Sequence, residues 1–573
     1  MAVVVLALVA WVATGAFQAK SNLEQARSSA QSAKDALLDG QTEAASASAD
    51  EALDAAQAAR NATHSVAWNI AAALPWLGSP FKTGQQVTDV VLGLASDVLR
   101  PAADVGLTIS PDRLYQDGRV DVELLRSQEP QLSELSTNAK RLNDEAGAIS
   151  DPRYISLLSD ARTQLQSQIS GITSIIENTA LAARLAPSMM GADGPRSYFM
   201  AFQTNAEARG TGGLLGGFGI LRFDNGVASV DTLASNLDLE EAIAPIDLGL
   251  EYDQQYAYAE PFTDFRNSNL SPHFPYAAEI WKTMFAERTG ENVDGVIGID
   301  PVALSYILGA TGPVTMPDRE VVSRENVVEL TESTAYLRFP EDQVARKQYL
   351  QDIANAVVDK MTGTVRSPRQ LLEALGKGVN ERRIAVWSAN PEEQEILEET
   401  SLAHVLPGDD APYAGVVVNN LGGNKLDYYL RTEIEYSADE CRGETRASTV
   451  NVRLTNTVPD AEPLPDYVAA AAGLSPELLI EVPRGTNIAS VRLFATKGAE
   501  LSSAILNGER VPAILNTERG HPVYEVQVII PPGQAADISF QMSEPTVPGP
   551  PRAPSQPLVE TVVPKMQVPE CSE

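Results

Sequence analysis

The stretch Val293-Asp294-Gly295-Val296-Ile297-Gly298-Ile299-Asp300-Pro301 decides how the middle of the chain is read. Its apolar run over residues 293–299 has the length and β-branched content of a buried strand. Asp300 offers a side-chain oxygen to the first free N–H groups of a helix, and Pro301 suits the first helical position because it has no donor to lose there. That helix is predicted to run to Gly309. A strand passing straight into a capped helix is the basic step of an α/β domain.

The reading extends outward from there. Residues 198–203, Tyr-Phe-Met-Ala-Phe-Gln, form a strand candidate, followed by an expected polar loop over residues 204–211. Residues 220–223 and 227–230 flank Asp224-Asn225-Gly226, a hairpin signal because Asn-Gly tolerates positive φ. Residues 344–361 are amphipathic, with Leu350, Ile353, Val357 and Met361 on one stripe. From Tyr413 onward apolar and polar residues alternate between turns, as in an antiparallel β-sandwich. Residues 544–573 are Pro-rich and expected to be extended and coreless. Toward the N-terminus, Ala26, Ala30, Ala33, Leu37, Ala45, Ala49, Ala52, Ala56 and Ala59 recur at helical spacing around Gly40, which predicts a helical hairpin with a narrow seam. Helical periodicity continues to about residue 186. The expected organisation is a membrane anchor (1–17), an Ala-rich stalk (18–75), a helical region (76–190), an α/β core (191–412), a β-sandwich (413–543) and a tail (544–573).

Composition narrows the function. The 573 residues carry 43 Lys+Arg against 76 Asp+Glu, a formal charge of -33, which repels phosphate backbones and excludes nucleic acid as a partner. Two cysteines exclude a Cys-rich zinc module and a disulfide-dense scaffold. The four histidines form no HExxH motif, and there is neither a nucleophile elbow nor a Walker loop. Residues 1–17 carry no charge. At ~1.5 Å per residue they reach somewhat less than a ~30 Å hydrocarbon core. The run lacks a basic leader, so the natural start is expected upstream of Met1. It reads either as an uncleaved anchor or as a signal peptide with Thr14 and Ala16 at cleavage spacing. Smooth continuation into a helical pattern favours the anchor. No second long apolar run follows, so the bulk is expected on the extracytoplasmic side of a cell membrane. Cys441 and Cys571 fit one disulfide in such an oxidising space, two unpaired thiols being the alternative.

The chemistry concentrates in Asn205-Ala206-Glu207-Ala208-Arg209-Gly210-Thr211-Gly212-Gly213-Leu214-Leu215-Gly216-Gly217-Phe218-Gly219. Two readings compete. Arg209, Thr211, Gly212 and Gly213 could seat a phosphate or carboxylate against exposed N–H groups. Alternatively the glycines let strands pack closely and Arg209 pairs with Glu207 or another acid.

These residues, with Asn269-Leu270-Ser271-Pro272-His273-Phe274-Pro275, the 293–301 stretch, Ala310-Thr311-Gly312-Pro313-Val314 and residues 419–429, resemble the bacterial domain-of-unknown-function family 4012. The resemblance implies an envelope protein with one membrane anchor and an unassigned activity. A more distant resemblance links residues 293–296 and 312–314 to LytR–CpsA–Psr proteins, which move glycopolymers from a polyprenyl-pyrophosphate carrier to peptidoglycan. It implies that Arg209 with Thr211, then Arg338, Arg346 and Lys347, surround a pyrophosphate; the alternative for Arg338, Arg346 and Lys347 is a solvated helix start paired with Glu341 and Asp342, and Arg266 is a separate polar candidate with no assigned role. Thr211 stands where that family has an Asp, which removes a metal ligand or base. Two functions follow as expectations. One is a non-catalytic scaffold that binds a lipid-linked or wall glycopolymer. The other is a Mg²⁺-dependent phospho-glycan transferase. Either could use an apolar groove beside the central sheet.

Overall fold

The computed structural model describes residues 2–75, 78–109, 111–116, 118–152, 156–363, 365, 367–459, 464–470 and 482–571; the side chains of 2–9, 38, 107, 108, 111, 112, 157 and 232 lie outside that set. The chain forms two compact units, residues 1–195 with 224–227, and residues 196–223 with 228–573.

In the first unit, helices α1 (Ala2–Leu38) and α2 (Thr42–Thr63) make the expected hairpin, with Gly40 at φ 66° in the turn. Only small side chains occupy the seam, where Ala26, Ala33, Ala45, Ala49, Ala52, Ala56 and Ala59 are buried. Such a seam removes little apolar area from water. It is completed by larger residues: Ala33, Ala49 and Ala52 share a core with Val90, Leu94 and Val98, with Leu135 and Leu142 of α3 (Val122–Gly147), and with Ile169 and Ile176 of α4 (Ser156–Met189). The stalk expected over 18–75 is therefore packed into one helical unit with the region that follows it. The expected anchor over 1–17 falls largely on side chains outside the described residues. Among the described residues no helix is long and apolar enough to cross a membrane.

The second unit is built on a sheet containing β1 (Arg196–Arg209), β2 (Gly212–Asp224), β3 (Val227–Ser235), β4 (Gly295–Ile299) and β5 (Ile384–Ser388), in spatial order β3-β2-β1-β4-β5. Strand β4 runs parallel to β1 and antiparallel to β5. Asn225 (φ 47°) and Gly226 (φ 81°) make the turn between β2 and β3. Phe199 of β1 and Phe218 of β2 pack with Phe274, Trp281 and Phe285 of α5 (Phe274–Thr289). The strand-to-helix step is as read from sequence: Asp300 accepts a 2.8 Å hydrogen bond from the Ala303 N–H and α6 (Pro301–Thr311) follows. Helix α7 (Gln343–Thr362) buries Ile353 and Val357, and α8 (Pro368–Asn380) precedes β5.

The polar loop expected over 204–211 is instead a continuation of β1 to Arg209, with register shifts after Phe202 and between Thr204 and Ala208. Its N–H groups find distant carboxylates: Glu332 accepts from Asn205 and Ala206, and Asp427 from Ala208. With donors satisfied away from water, the polar stretch remains buried strand.

Two further sheets follow. One orders β6 (Ala414–Asn420), β9 (Asn487–Ala495), β13 (His521–Ile530) and β12 (Ile514–Glu518). The other orders β11 (Glu509–Val511), β10 (Glu500–Leu506), β14 (Ala535–Pro545), β8 (Thr445–Asn456), β7 (Leu430–Ala438) and β15 (Lys565–Gln567). Val416, Val418, Val491 and Leu493 of the first share one core with Ile434, Val450, Val452 and Phe540 of the second. The tail is not coreless. Leu558 and Val562 sit in that core, the Gln556 amide bridges the Val418 N–H and C=O, and β15 pairs with β7. Cys571 is bonded to Cys441. Proline removes donors from this segment but leaves its carbonyls and apolar surface available for packing.

Candidate functional site

Asp342 caps α7 by accepting from the Ala345 N–H, which places Arg346 and Lys347 side by side on the first turn. Arg346 is 3% exposed. Its guanidinium stands 4.1 Å from the centre of the Tyr467 ring and 5.4 Å from that of Tyr336, and it donates to the Phe339 carbonyl at 3.0 Å. Among the described residues it makes no ion pair. Lys425 lies over the same two rings, at 5.1 and 5.8 Å, and its ammonium is paired with Glu207. Arg209 holds the other carboxylate oxygen of Glu207 at 2.9 Å. A continuous line results: Arg209, Glu207, Lys425, the two tyrosines, Arg346. Two buried cations, Arg209 and Lys425, share one buried carboxylate, and Arg346 reaches them only through the tyrosine rings. Burial raises the Glu207 pKa, but Lys425 and Arg209 together hold it below its usual range.

Beside this line lies a partly open groove, with about 80 Å³ of room for water-sized occupants, walled by Phe202, Phe218, Leu233, Leu304, Leu350 and Ile353. Its ionisable lining residues are Lys347 and Glu332. Lys347 donates to Ser235 Oγ at 3.0 Å and to Asn236 Oδ1. Burial, then the neighbouring Arg346, lowers its pKa to about 8. Glu332 accepts from the Ala206 N–H at 2.7 Å and the Asn205 N–H at 3.3 Å, which favours its anion, yet burial outweighs both and pushes it up to about 8. At neutral pH a protonated Glu332 leaves Lys347 as the charged group of the groove. An apolar trough with one ammonium at its wall suits an amphiphile with an anionic head.

The remaining sequence-stretch candidates have internal partners. Arg209 does not line the groove; it also donates to the carbonyls of Arg266, Ala208 and Asn420, so its fork is spent inside the protein. Thr211 donates to Gln203 Oε1 and accepts from Asn269 Nδ2. Gly212 (φ 132°) lies against Pro557, and a Cβ at Gly213 would come within 2.3 Å of Thr204 backbone atoms. Close packing is the reading the structure supports for these glycines. Arg266 is surface-exposed and paired with Asp264 at 2.7 Å. Arg338 makes a two-pronged pair with Glu320, both contacts 2.8 Å. Of the six basic or polar side chains proposed, only Arg346 and Lys347 sit together, and Arg209 joins them through Glu207 and Lys425. Lys425 and Glu332 were not singled out from sequence. Lys425 lies in the quoted 419–429 motif, whereas nothing local marks Glu332. Among the described residues no three His, Cys, Asp or Glu side chains are grouped to hold a metal ion.

Residues 193–336 match the family model described as "Protein of unknown function (DUF4012)". No curated protein and no solved structure matches the chain.

Proposed function

We propose, for a chain that over residues 193–336 belongs to the DUF4012 family, an extracytoplasmic cell-envelope protein that binds a lipid-linked or wall glycopolymer as a non-catalytic scaffold. The observation that carries this reading is the apolar groove with Lys347 at its wall, next in sequence to Arg346, which makes no ion pair among the described residues. A prenyl-type chain would lie along Phe202, Leu304 and Ile353, and its phosphate would meet the Lys347 ammonium. Relative to the distant LytR–CpsA–Psr resemblance, the head group moves from Arg209 to Lys347, because the Arg209 donors are engaged. The Cys441–Cys571 bond supports an oxidising compartment. The two C-terminal sheets are read as a β-sandwich, and residues 1–17 as the membrane anchor.

The transferase alternative needs a divalent-cation site. The residues at hand do not fit one: Thr211 is tied to Gln203 and Asn269, and no acidic cluster stands beside it among the described residues. Binding without turnover is therefore the function stated.

The test is co-sedimentation of the purified protein with phosphatidylcholine vesicles carrying polyprenyl phosphate. Binding that depends on the polyprenyl phosphate and weakens about tenfold in Lys347→Gln is expected. Equal binding to vesicles without it would overturn the reading.

A further inference from the structure

A second pocket, distinct from the groove, lies where the tail crosses the second unit. Its lining includes Arg382, His404, Tyr413, Gly415, Ser555 and Pro557, and it is a small, partly open pocket with about 20 Å³ of room for water-sized occupants. No lining residue is acidic, in a chain with 76 Asp and Glu.

The two adjacent arginines contrast. Arg383 is fully buried and spends its fork on Asp300, Glu381, Thr561 and the Leu558 carbonyl. Arg382 has neither a carboxylate nor a side-chain hydrogen bond among the described residues, although burial pulls its pKa below the usual range. Facing it, His404 is 4% exposed and its Nε2 has no hydrogen-bond partner among the described residues. Burial first, and Arg382 second, hold that imidazole well below its usual pKa, so it is neutral with one N–H to give. Of the other polar groups nearby, Thr211 is committed to Gln203, Ser555 to Val562, Gln556 to Arg209 and Val418, and Arg552 to Asp409, while the Tyr413 ring lies in the lining close to Arg382.

Backbone geometry adds a separate observation. Arg382 (φ 57°) and His404 (φ 47°) are both left-handed, a conformation that costs any residue with a Cβ. A glycine would meet the backbone need at either position at no cost. Both residues end a helical turn in the usual left-handed way: the Arg382 and Arg383 N–H groups close α8 on the Val379 and Gly378 carbonyls, and His404 follows the turn 401–403.

We propose that this pocket binds a small oxyanion, a carboxylate or phosphate group, through the Arg382 guanidinium and the His404 Nε2–H. The guanidinium supplies a two-pronged donor and the charge, and the imidazole a third donor in a water-poor wall. This site does not depend on the groove or on the function proposed for it.

The experiment is isothermal titration of the full chain with inorganic phosphate and, separately, with acetate, at matched ionic strength. At least one anion is expected to bind saturably, phosphate more tightly if a phosphoryl group is the natural ligand and acetate if it is a carboxylate. Arg382→Gly relieves the left-handed strain while removing the charge. It is expected to weaken binding by about tenfold or more and to keep or raise the unfolding temperature. His404→Asn, which tolerates the same φ, is expected to weaken binding as well. The inference is overturned if neither anion binds, if Arg382→Gly binds like the wild type, or if that variant unfolds several degrees lower, as a structural strut would.

Discussion

Arg383 Nη1 lies 2.7 Å from Asp300 Oδ2, with both side chains buried. One carboxylate thus caps α6 through the Ala303 N–H and neutralises the guanidinium that grips the tail at Leu558 and Thr561. Residues 300, 383 and 558 are far apart in sequence, and this contact ties the central sheet to the C-terminal segment.

Removing that carboxylate strands a buried cation. Asp300→Ala is expected to destabilise by about 3–5 kcal/mol. Asp300→Asn keeps the cap and should recover about 1 kcal/mol of the loss. Denaturant midpoints of the two variants against wild type measure both steps.

Gly213→Ala places a methyl group within 2.3 Å of the Thr204 carbonyl, which is backbone and cannot rotate away. The strands must part, at about 1–3 kcal/mol or more. Thermal unfolding is expected to show the loss. Gly408→Ala, where nothing lies within 4 Å of the added carbon, is the comparison and should unfold like the wild type.

Glu332 gives a signed pH dependence. Its folded pKa of about 8 lies above the ordinary 4.5, so the stability it contributes is present at acid pH and is lost as pH rises from about 4.5 through 8. Glu332→Gln is expected to flatten the fall in unfolding midpoint across pH 5–8. An unchanged slope in the variant would remove Glu332 as its source.

The role proposed for Lys347 is in binding, and its shifted pKa also bears on stability. With a pKa lowered to about 8, it loses its charge in mildly alkaline solution. Affinity for polyprenyl phosphate vesicles is expected to fall as pH rises through about 8, with the fall abolished in Lys347→Gln. In the unbound protein the depressed ammonium contributes stability above about 10.5 that is lost as pH drops through 8, the opposite sense to Glu332.

The disulfide spans 130 residues. In the chain-entropy account, opening a loop of that length costs up to about 5 kcal/mol. Cys571→Ser is expected to lower the unfolding midpoint and to make residues 558–571 the first site of proteolysis. Mass spectrometry of the early fragments reads the second effect.

Local chemistry made much of this fold legible in the sequence. The capped step at Asp300-Pro301, the Asn225-Gly226 turn, the alanine seam and the alternating C-terminal strands each depend on residues within one turn or one hairpin. Periodicity and turn preference report such neighbours directly. The strand at 204–209 reads locally as a polar loop because its carboxylate partners lie elsewhere: Glu332 is 127 positions from Asn205, and Asp427 is 219 from Ala208. The same distance hid which arginines are spent. Arg209 and Arg383 meet acids brought to them by folding, whereas Arg346 and Arg382 meet none among the described residues. Which cation remains available to a ligand is a property of pairing, and pairing over such separations is decided only when the chain closes on itself.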